Sequence, residues 1–288
     1  MITLKVDGIT VSVPEDATVL EAAKVAGVKI PTLCYMKDTN AIGACRLCLF
    51  EGGGRGLQAA CVMPVSALPK DRVTGEISIK TNTPAIRAAR KANLELLLSN
   101  HDKHCLSCPR NTTCEFQALC NEYGITDEDH FAGEMTDGIN DASSPSIVRN
   151  HNKGVLCRRC VAVCSKVQNV GVIGMVKRGF KTQVMPAWGE SLADTACINC
   201  GQCINVCPTG ALTERDDTQE VWDALADPEK IVIVQPAPAV RAALGEEFGM
   251  PIGTCVTGKM ATALRRLGFD KVFDTDFAAD LTIMEEAN

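Results

Sequence analysis

The stretch that decides the fold is Cys197-Ile198-Asn199-Cys200-Gly201-Gln202-Cys203-Ile204-Asn205-Val206-Cys207-Pro208. Its spacing is C-x2-C-x2-C-x3-C-P. Thiolate is a soft, electron-rich donor, suited above all to iron–sulfur clusters and zinc. In two-cluster proteins built on this run, the fourth cysteine ligates the other cluster. A second run is therefore required, and Cys157, Cys160 and Cys164 supply it. Crossed ligation groups Cys164 with Cys197, Cys200 and Cys203, and groups Cys207 with Cys157 and Cys160. Continued backward at the same interval, the upstream run reaches position 154, where a ligand cysteine belongs. The residue there is Gly154. Three outcomes follow: a 3Fe-4S cluster, a 4Fe-4S cluster with water or another donor on the exposed iron, or no cluster. Pro208 cannot continue a helix, so the chain turns away at Thr209-Gly210-Ala211.

Working outward, His101, Cys105, Cys108 and Cys114 read H-x3-C-x2-C-x5-C. A lone histidine is usually a plain surface or core residue, but one ahead of three cysteines at this spacing is a candidate ligand. Imidazole in place of thiolate removes a negative charge and raises the potential of a cluster. A zinc site with three cysteines and one histidine has the same composition and stays open. His104 competes, but it adjoins Cys105 and leaves little backbone to wrap a metal. Cys120 falls outside the pattern and reads as a small buried hydrophobe. Pro84 suits a first helical turn, and Ile86, Ala89, Leu94, Leu97 and Leu98 form the stripe of a helix leading to His101.

The remaining group is Cys34, Cys45, Cys48 and Cys61, spaced C-x10-C-x2-C-x12-C. Zinc ribbons pair two close knuckles, whereas only one close pair occurs here, so a 2Fe-2S cluster is expected. Small residues (Gly43, Ala44 and Gly52-Gly53-Gly54) let backbone N–H groups approach the sulfurs. Ahead of this group, Ile2–Val6 and Ile9–Val13 flank Asp7-Gly8 as a hairpin. Asp16 or Thr18 caps a helix that Gly27 stops, and residues 76–80 are expected to close the domain as a strand.

Sixteen cysteines in 288 residues could suggest a disulfide scaffold, but such scaffolds are small and secreted. The strand-like start lacks the features of a signal peptide, and no apolar run is long enough to cross a bilayer. A cytoplasmic protein is expected. The net charge of −6 argues against a nucleic-acid surface. Residues 126–153, with Asp127-Glu128-Asp129 and Ser143-Ser144-Pro145, read as a surface connection.

The order of these motifs resembles the N-terminal half of an iron–iron (FeFe) hydrogenase. It also resembles the iron–sulfur subunit of respiratory complex I and some formate dehydrogenases. The tail discriminates. Ile231-Val232-Ile233-Val234, Ala237-Pro238-Ala239-Val240-Arg241, Val256-Thr257-Gly258-Lys259-Met260 and Leu267-Gly268-Phe269-Asp270 resemble the opening of the hydrogenase catalytic domain. In that family, the positions matching Ala237 and Pro238 line the active-site pocket. The family's active-site cysteines begin in a T-S-C-C-P segment, which this chain lacks, so it is expected to conduct electrons without turning over hydrogen. Cys255 reads as a chance buried cysteine.

The resemblance implies flavin/NADH-binding iron–sulfur partner subunits carrying FMN and NAD(P), or a ferredoxin, with electron bifurcation within its scope. The expected fold is α+β and multidomain. It comprises a β-grasp 2Fe-2S domain (1–80), a small helical domain with a histidine-ligated 4Fe-4S cluster (81–125) and a linker (126–153). A bacterial-type two-cluster domain (154–225) and the truncated start of an α/β hydrogenase domain (226–288) follow. The cofactors would be one 2Fe-2S cluster, two 4Fe-4S clusters and the unsettled site at Gly154.

Overall fold

A computed structural model describes every residue except Gly53, Arg55 and Asn288, so the part of the glycine run at Gly53 lies outside the described residues. The chain divides into two compact units, Met1–Arg215 and Asp216–Asn288.

The first unit begins with β1 (Ile2–Val6) and β2 (Ile9–Val13), antiparallel with Val6 opposite Ile9. Asp7 (φ 48°) and Gly8 (φ 91°) make the turn, both in the left-handed region that matches the twist of a two-residue hairpin. Helix α1 (Val19–Val25) starts at Thr18. The Thr18 hydroxyl accepts the Glu21 N–H at 3.2 Å, and the Glu21 carboxylate accepts the Thr18 N–H at 2.8 Å. Together these bonds satisfy two otherwise orphaned donors. After β3 (Leu49–Glu51) and β4 (Leu57–Ala59), β5 (Ser78–Ile79) returns parallel to β1. Strand alternation sends Leu4, Val6, Val11 and Val13 inward against Val19, Ala22, Ala23 and Phe50.

Helix α2 (Pro84–Leu98) has Thr83 as its cap and proline at its first position. Its one deeply buried charge is structural. Arg90 donates Nε–H to the Leu47 carbonyl (2.8 Å) and Nη2–H to the Leu49 carbonyl (2.7 Å), holding the segment that carries Cys48. Helix α3 (Glu115–Glu122) is capped by Cys114, whose Sγ accepts the Gln117 N–H at 3.4 Å.

The stretch 126–153, expected as a surface connection, folds in part into the cluster-bearing unit. Strands β6 (Asn140–Asp141) and β7 (Ile147–Asn150) join β10 (Leu212–Glu214) in an antiparallel sheet. The alternation in Ile147-Val148-Arg149-Asn150 marks β7 in the sequence and buries Ile147 and Arg149. Between these strands lie α4 (Arg159–Ala162), the hairpin of β8 (Gly174–Val176) with β9 (Gln183–Met185), and α5 (Gln202–Asn205).

The second unit opens with α6 (Thr218–Ala226). Its strands β11 (Ile233–Val234) and β12 (Lys271–Val272) are parallel, with α7 (Val240–Glu247) and α8 (Thr257–Leu267) between them and α9 (Thr275–Glu286) after them. Two parallel strands joined through helices fit the α/β start expected of the tail. Gly268 (φ 108°) ends α8 in the left-handed cap position. Arg241 forms a fork with the Asp276 carboxylate at 3.0 and 3.1 Å. No helix among the described residues is long and apolar enough to cross a membrane.

Arg90→Met should cost about 2–4 kcal/mol of stability, because two buried carbonyls lose their donors. Arg90→Lys should recover only part of it, since one ammonium cannot reproduce the fork. Denaturant unfolding of the two variants checks both expectations, and a Lys variant as stable as the parent would contradict them.

Candidate iron–sulfur sites

Cys34, Cys45, Cys48 and Cys61 are all buried. Their thiols hydrogen-bond to one another: Cys45 and Cys61 to Cys34, and Cys61 to Cys48. Those contacts, led by the bond from Cys45, hold the Cys34 thiol well below its ordinary value, and the bond from Cys61 lowers Cys48 as well. Cys45 and Cys61 keep their protons, pushed upward by the same bonds. Backbone N–H groups also point at the sulfurs: Leu33 donates to Cys45 Sγ at 3.4 Å, and Ala44 and Ala60 donate to Cys34 and Cys48. Gly43 (φ 61°) and Arg46 (φ 54°) take left-handed backbone beside these ligands. Left-handed residues set among right-handed ones make N–H nests that favour anionic groups, iron–sulfur centres included.

His101, Cys105, Cys108 and Cys114 line one cavity of about 180 Å³. His101 is 7 % exposed, its ring set edge-on to Phe116 at 5.1 Å, and its Nδ1 is buried without a hydrogen-bond partner. Burial, with the Lys153 ammonium adding to it, lowers its pKa to about 4, so the ring is neutral as a metal ligand must be. A buried orphan nitrogen beside three thiols fits a metal-cluster ligand. His104 instead points outward and meets Asp102 Oδ1 at 2.5 Å. Gly210 closes the same hollow, where a Cβ would stand 2.6 Å from Cys108 Sγ, so only glycine permits this approach. Cys120, expected as a plain core residue, is half-buried and lines the cavity too, with burial pushing its thiol to about 12.

The crossing expected of the two runs is present in the geometry. Cys157, Cys160 and Cys207 line one hollow of about 40 Å³ together with Gly154 and His151. Cys164, Cys197, Cys200 and Cys203 line another of about 30 Å³. At Gly154 a Cβ would meet only the His151 carbonyl at 3.1 Å and the Ala211 methyl at 3.8 Å. Leu156, Arg158, Asn199 and Gly201 repeat the left-handed geometry seen near Cys45. Among the described residues, no group of three or more His, Cys, Asp or Glu is arranged for a single metal ion. The donors in each hollow are thiols, the ligand type of iron–sulfur clusters.

These hollows are linked by direct contacts. Asn40, which the spacing gave no reason to select, donates to the Cys34 carbonyl (2.7 Å) and to the Cys157 carbonyl (3.0 Å). Cys157 packs in the same buried group as Cys34 and Cys45. Arg110 Nη2 donates to the Cys207 carbonyl at 3.2 Å, and Cys114 Sγ lies 3.5 Å from the Pro208 carbonyl. A hollow of about 1010 Å³ lies beside α1, lined by Lys24, Lys29 and Lys37 and by no thiol.

In the second unit, Ala237 and Pro238 are exposed just before α7, and the Pro238 carbonyl accepts Arg241 Nε–H at 3.0 Å. Cys255, expected to be buried, is exposed. Its neighbour Val256 takes the inward place, 5 % exposed, with its N–H on the Arg241 carbonyl at 2.8 Å.

Fold and sites together define a multi-cluster iron–sulfur protein. Known family models match in the same order. They are a 2Fe-2S iron-sulfur cluster binding domain (1–67), the NADH-ubiquinone oxidoreductase-G iron-sulfur binding region (90–129), the ferredoxin-like domain of NADH-quinone oxidoreductase subunit 3 (144–213), and the C-terminal domain of the iron only hydrogenase large subunit (230–288). The NADP-reducing hydrogenase subunit HndD of Solidesulfovibrio fructosivorans is 51 % identical over all of this chain and 49 % of its own length. Iron hydrogenase 1 of Clostridium pasteurianum is 38 % identical with the same coverage. The 75 kDa NADH-ubiquinone oxidoreductase polypeptide of Reclinomonas americana is 33 % identical but matches only 75 % of this chain and 30 % of its own length. A solved NAD+-reducing [NiFe]-hydrogenase in the H2-reduced state superposes with a TM-score of 0.67 at 29 % identity, covering 74 % of this chain and 87 % of that one. Residues 230–288 match the C-terminal domain of the iron only hydrogenase large subunit, and the residues before them are similar to the iron–sulfur regions of hydrogenase and NADH-oxidoreductase subunits. The chain spans about half the length of the hydrogenase relatives.

In cluster-free protein, His101 should make stability depend on pH. Its folded pKa of about 4 lies below the unfolded value of about 6.5, so the unfolded state binds more protons between them. The contribution is complete above about pH 6.5 and is lost as pH falls toward 4, on the order of 3 kcal/mol in all. His101→Gln should flatten that slope in urea unfolding measured across this window. With clusters in place, His101→Cys should lower the potential of one cluster alone, because thiolate restores a negative charge; an unmoved redox titration would remove His101 from the ligand set.

Proposed function

We propose that this chain is the electron-relay part of an FeFe hydrogenase subunit, passing single electrons between a flavin- and NAD(P)H-binding partner, or a ferredoxin, and a hydrogen-activating site. The observation that carries the reading is the contact of two outer sites with one inner one. Asn40 ties the Cys34 segment to Cys157, and Arg110 with Gly210 ties the His101 cavity to the Cys207 segment. The clusters, when bound, supply one-electron chemistry. The chain supplies spacing, exclusion of water and N–H groups aimed at sulfur.

In this reading, residues 1–80 are a β-grasp 2Fe-2S domain, supported by the hairpin, helix α1 and the parallel return of β5. Cys34, Cys45, Cys48 and Cys61 hold the 2Fe-2S cluster. His101, Cys105, Cys108 and Cys114 hold a 4Fe-4S cluster within 81–125. Cys164, Cys197, Cys200 and Cys203 hold a second, within a two-cluster domain that takes in strands β6 and β7 as well as β10 and ends at Arg215. Cys157, Cys160 and Cys207 offer three thiolates to a further 4Fe-4S or 3Fe-4S cluster, or to none, and residues 226–288 belong to the hydrogenase domain, where Ala237 and Pro238 border the active-site pocket. The protein works in the cytoplasm, with partner subunits carrying FMN and NAD(P). Electron transfer in a complex I-like or formate dehydrogenase assembly is the second reading, its complex I-like form favoured by the 33 % identity to the Reclinomonas protein over 75 % of this chain. The match of residues 230–288 favours the first.

Iron and acid-labile sulfide analysis of anaerobically reconstituted protein tests the proposal. Brown protein with stoichiometric sulfide is expected, and colourless protein holding zinc would end it. Gly154→Cys should change the low-temperature EPR signals while leaving the 2Fe-2S signal in place. Identical spectra would mean that the missing thiol has no effect.

A further inference from the structure

Strand β7 buries alternate residues, and one of the two it buries is a cation. Ile147 is 2 % exposed and Arg149 3 %. Ile147 lines the Cys164/Cys197/Cys200/Cys203 hollow, as an inward apolar residue should. Arg149 lines that hollow and also the Cys157/Cys160/Cys207 hollow, and so does Leu212, its register partner on β10. Arg149 therefore belongs to the wall between the two thiol groups.

Protein partners do not account for this guanidinium. Nη1 donates to the Val184 carbonyl at 2.9 Å. Nη2 stands 3.7 Å from Asp141 Oδ2, an ion pair without a hydrogen bond, and both Nη2 and Nε are buried with no hydrogen-bond partner. The Asp141 carboxylate is already engaged, accepting Ser143 N–H (3.0 Å), Ser143 O–H (2.6 Å) and Leu192 N–H (2.8 Å). A buried charge with two orphaned donors is strongly unfavourable unless a negative acceptor faces it. Besides Asp141, the groups around it that become anionic on binding a cluster are the thiols of the two hollows, and Cys160 is close enough for its charge to act on Arg149.

We propose that Arg149 is a shared cation of the two clusters, offering Nε–H and Nη2–H to their sulfur and raising both reduction potentials. Reduction adds negative charge, and a fixed cation with hydrogen bonds to sulfur stabilises the reduced form more than the oxidised one. Arg149 is thus a positioning and tuning residue, outside the ligand set. The inference rests on the two-cluster reading above.

Redox titration of the reconstituted full chain, followed by EPR, tests it. Iron and sulfide are measured in the parent first, so that a failure of the two-cluster reading shows before any variant is made. Arg149→Met at full cluster content should lower both midpoints, each by a tenfold change in the reduction equilibrium or more, which is 59 mV for one electron. The 2Fe-2S midpoint should stay in place, and Arg149→Lys should recover part of the shift, having the charge without the fork. Asp141→Asn, which removes the opposing carboxylate, should move both midpoints the other way, and it decides the matter if Arg149→Met loses iron. Unmoved midpoints at full cluster content, or an equal shift of the 2Fe-2S cluster, would overturn the proposal. If the parent fills only the Cys164 site, the pair is lost as a reading, and the shift of that single cluster still judges Arg149.

Discussion

Cys164 and Cys207 each stand in the hollow formed largely by the other's run, and most of the first unit's C-terminal architecture depends on that exchange. A short run of thiols cannot surround a cluster alone, so two segments must interlock. Interlocking brings the ends of α4 and α5 side by side, and both segments need left-handed turns to do it. Arg158 and Gly201 take those turns at the starts of the two helices. A non-glycine residue in this conformation is costly. Its recurrence beside the cysteines fits nests of N–H groups that repay the strain once anionic sulfur is bound. The apolar residues then have a modest task. Ile147, Ile173, Leu192 and Leu212 form a small group around the thiols, with no aromatic among them.

The same exchange explains why the hollow at Gly154 is central. Cys157 reaches toward the buried group that holds Cys34 and Cys45, while the segment after Cys207 reaches the His101 cavity. One hollow therefore touches both outer sites through protein contacts and shares Arg149 with the fourth. A missing thiolate at an outer site would affect one branch only. At this position it bears on every route that passes inward.

Much of this was legible in spacing, because ligand chemistry constrains spacing tightly. The three complete groups, the crossing of Cys164 with Cys207, and His101 over His104 all correspond to hollows or burial patterns in the fold. The hairpin at Asp7-Gly8 and the cap at Thr18 were legible too, since both are local. Asn40, Arg90 and Arg149 were not. Each is a polar side chain whose partners are distant in sequence: Asn40 meets Cys157 across 117 positions, and Arg90 meets Leu47 across 43. No local pattern encodes such contacts. Cys255 shows the converse, because a single thiol between Thr254 and Val256 says nothing about which residue turns inward.

Arg149 and Gly154 act on the same hollow through charge. Four thiolates around a cluster leave a net negative charge, and each one removed makes reduction easier. A buried cation on the wall adds to that effect, whereas the all-cysteine hollow beside it shares the cation but keeps its four thiols. The two neighbouring sites thus differ in donor count while sharing one tuning residue. Their potentials should be set apart by the glycine and moved together by the arginine. On this account the glycine at position 154 makes the two stepping stones an uneven pair, with the more readily reduced site at the meeting point of the branches.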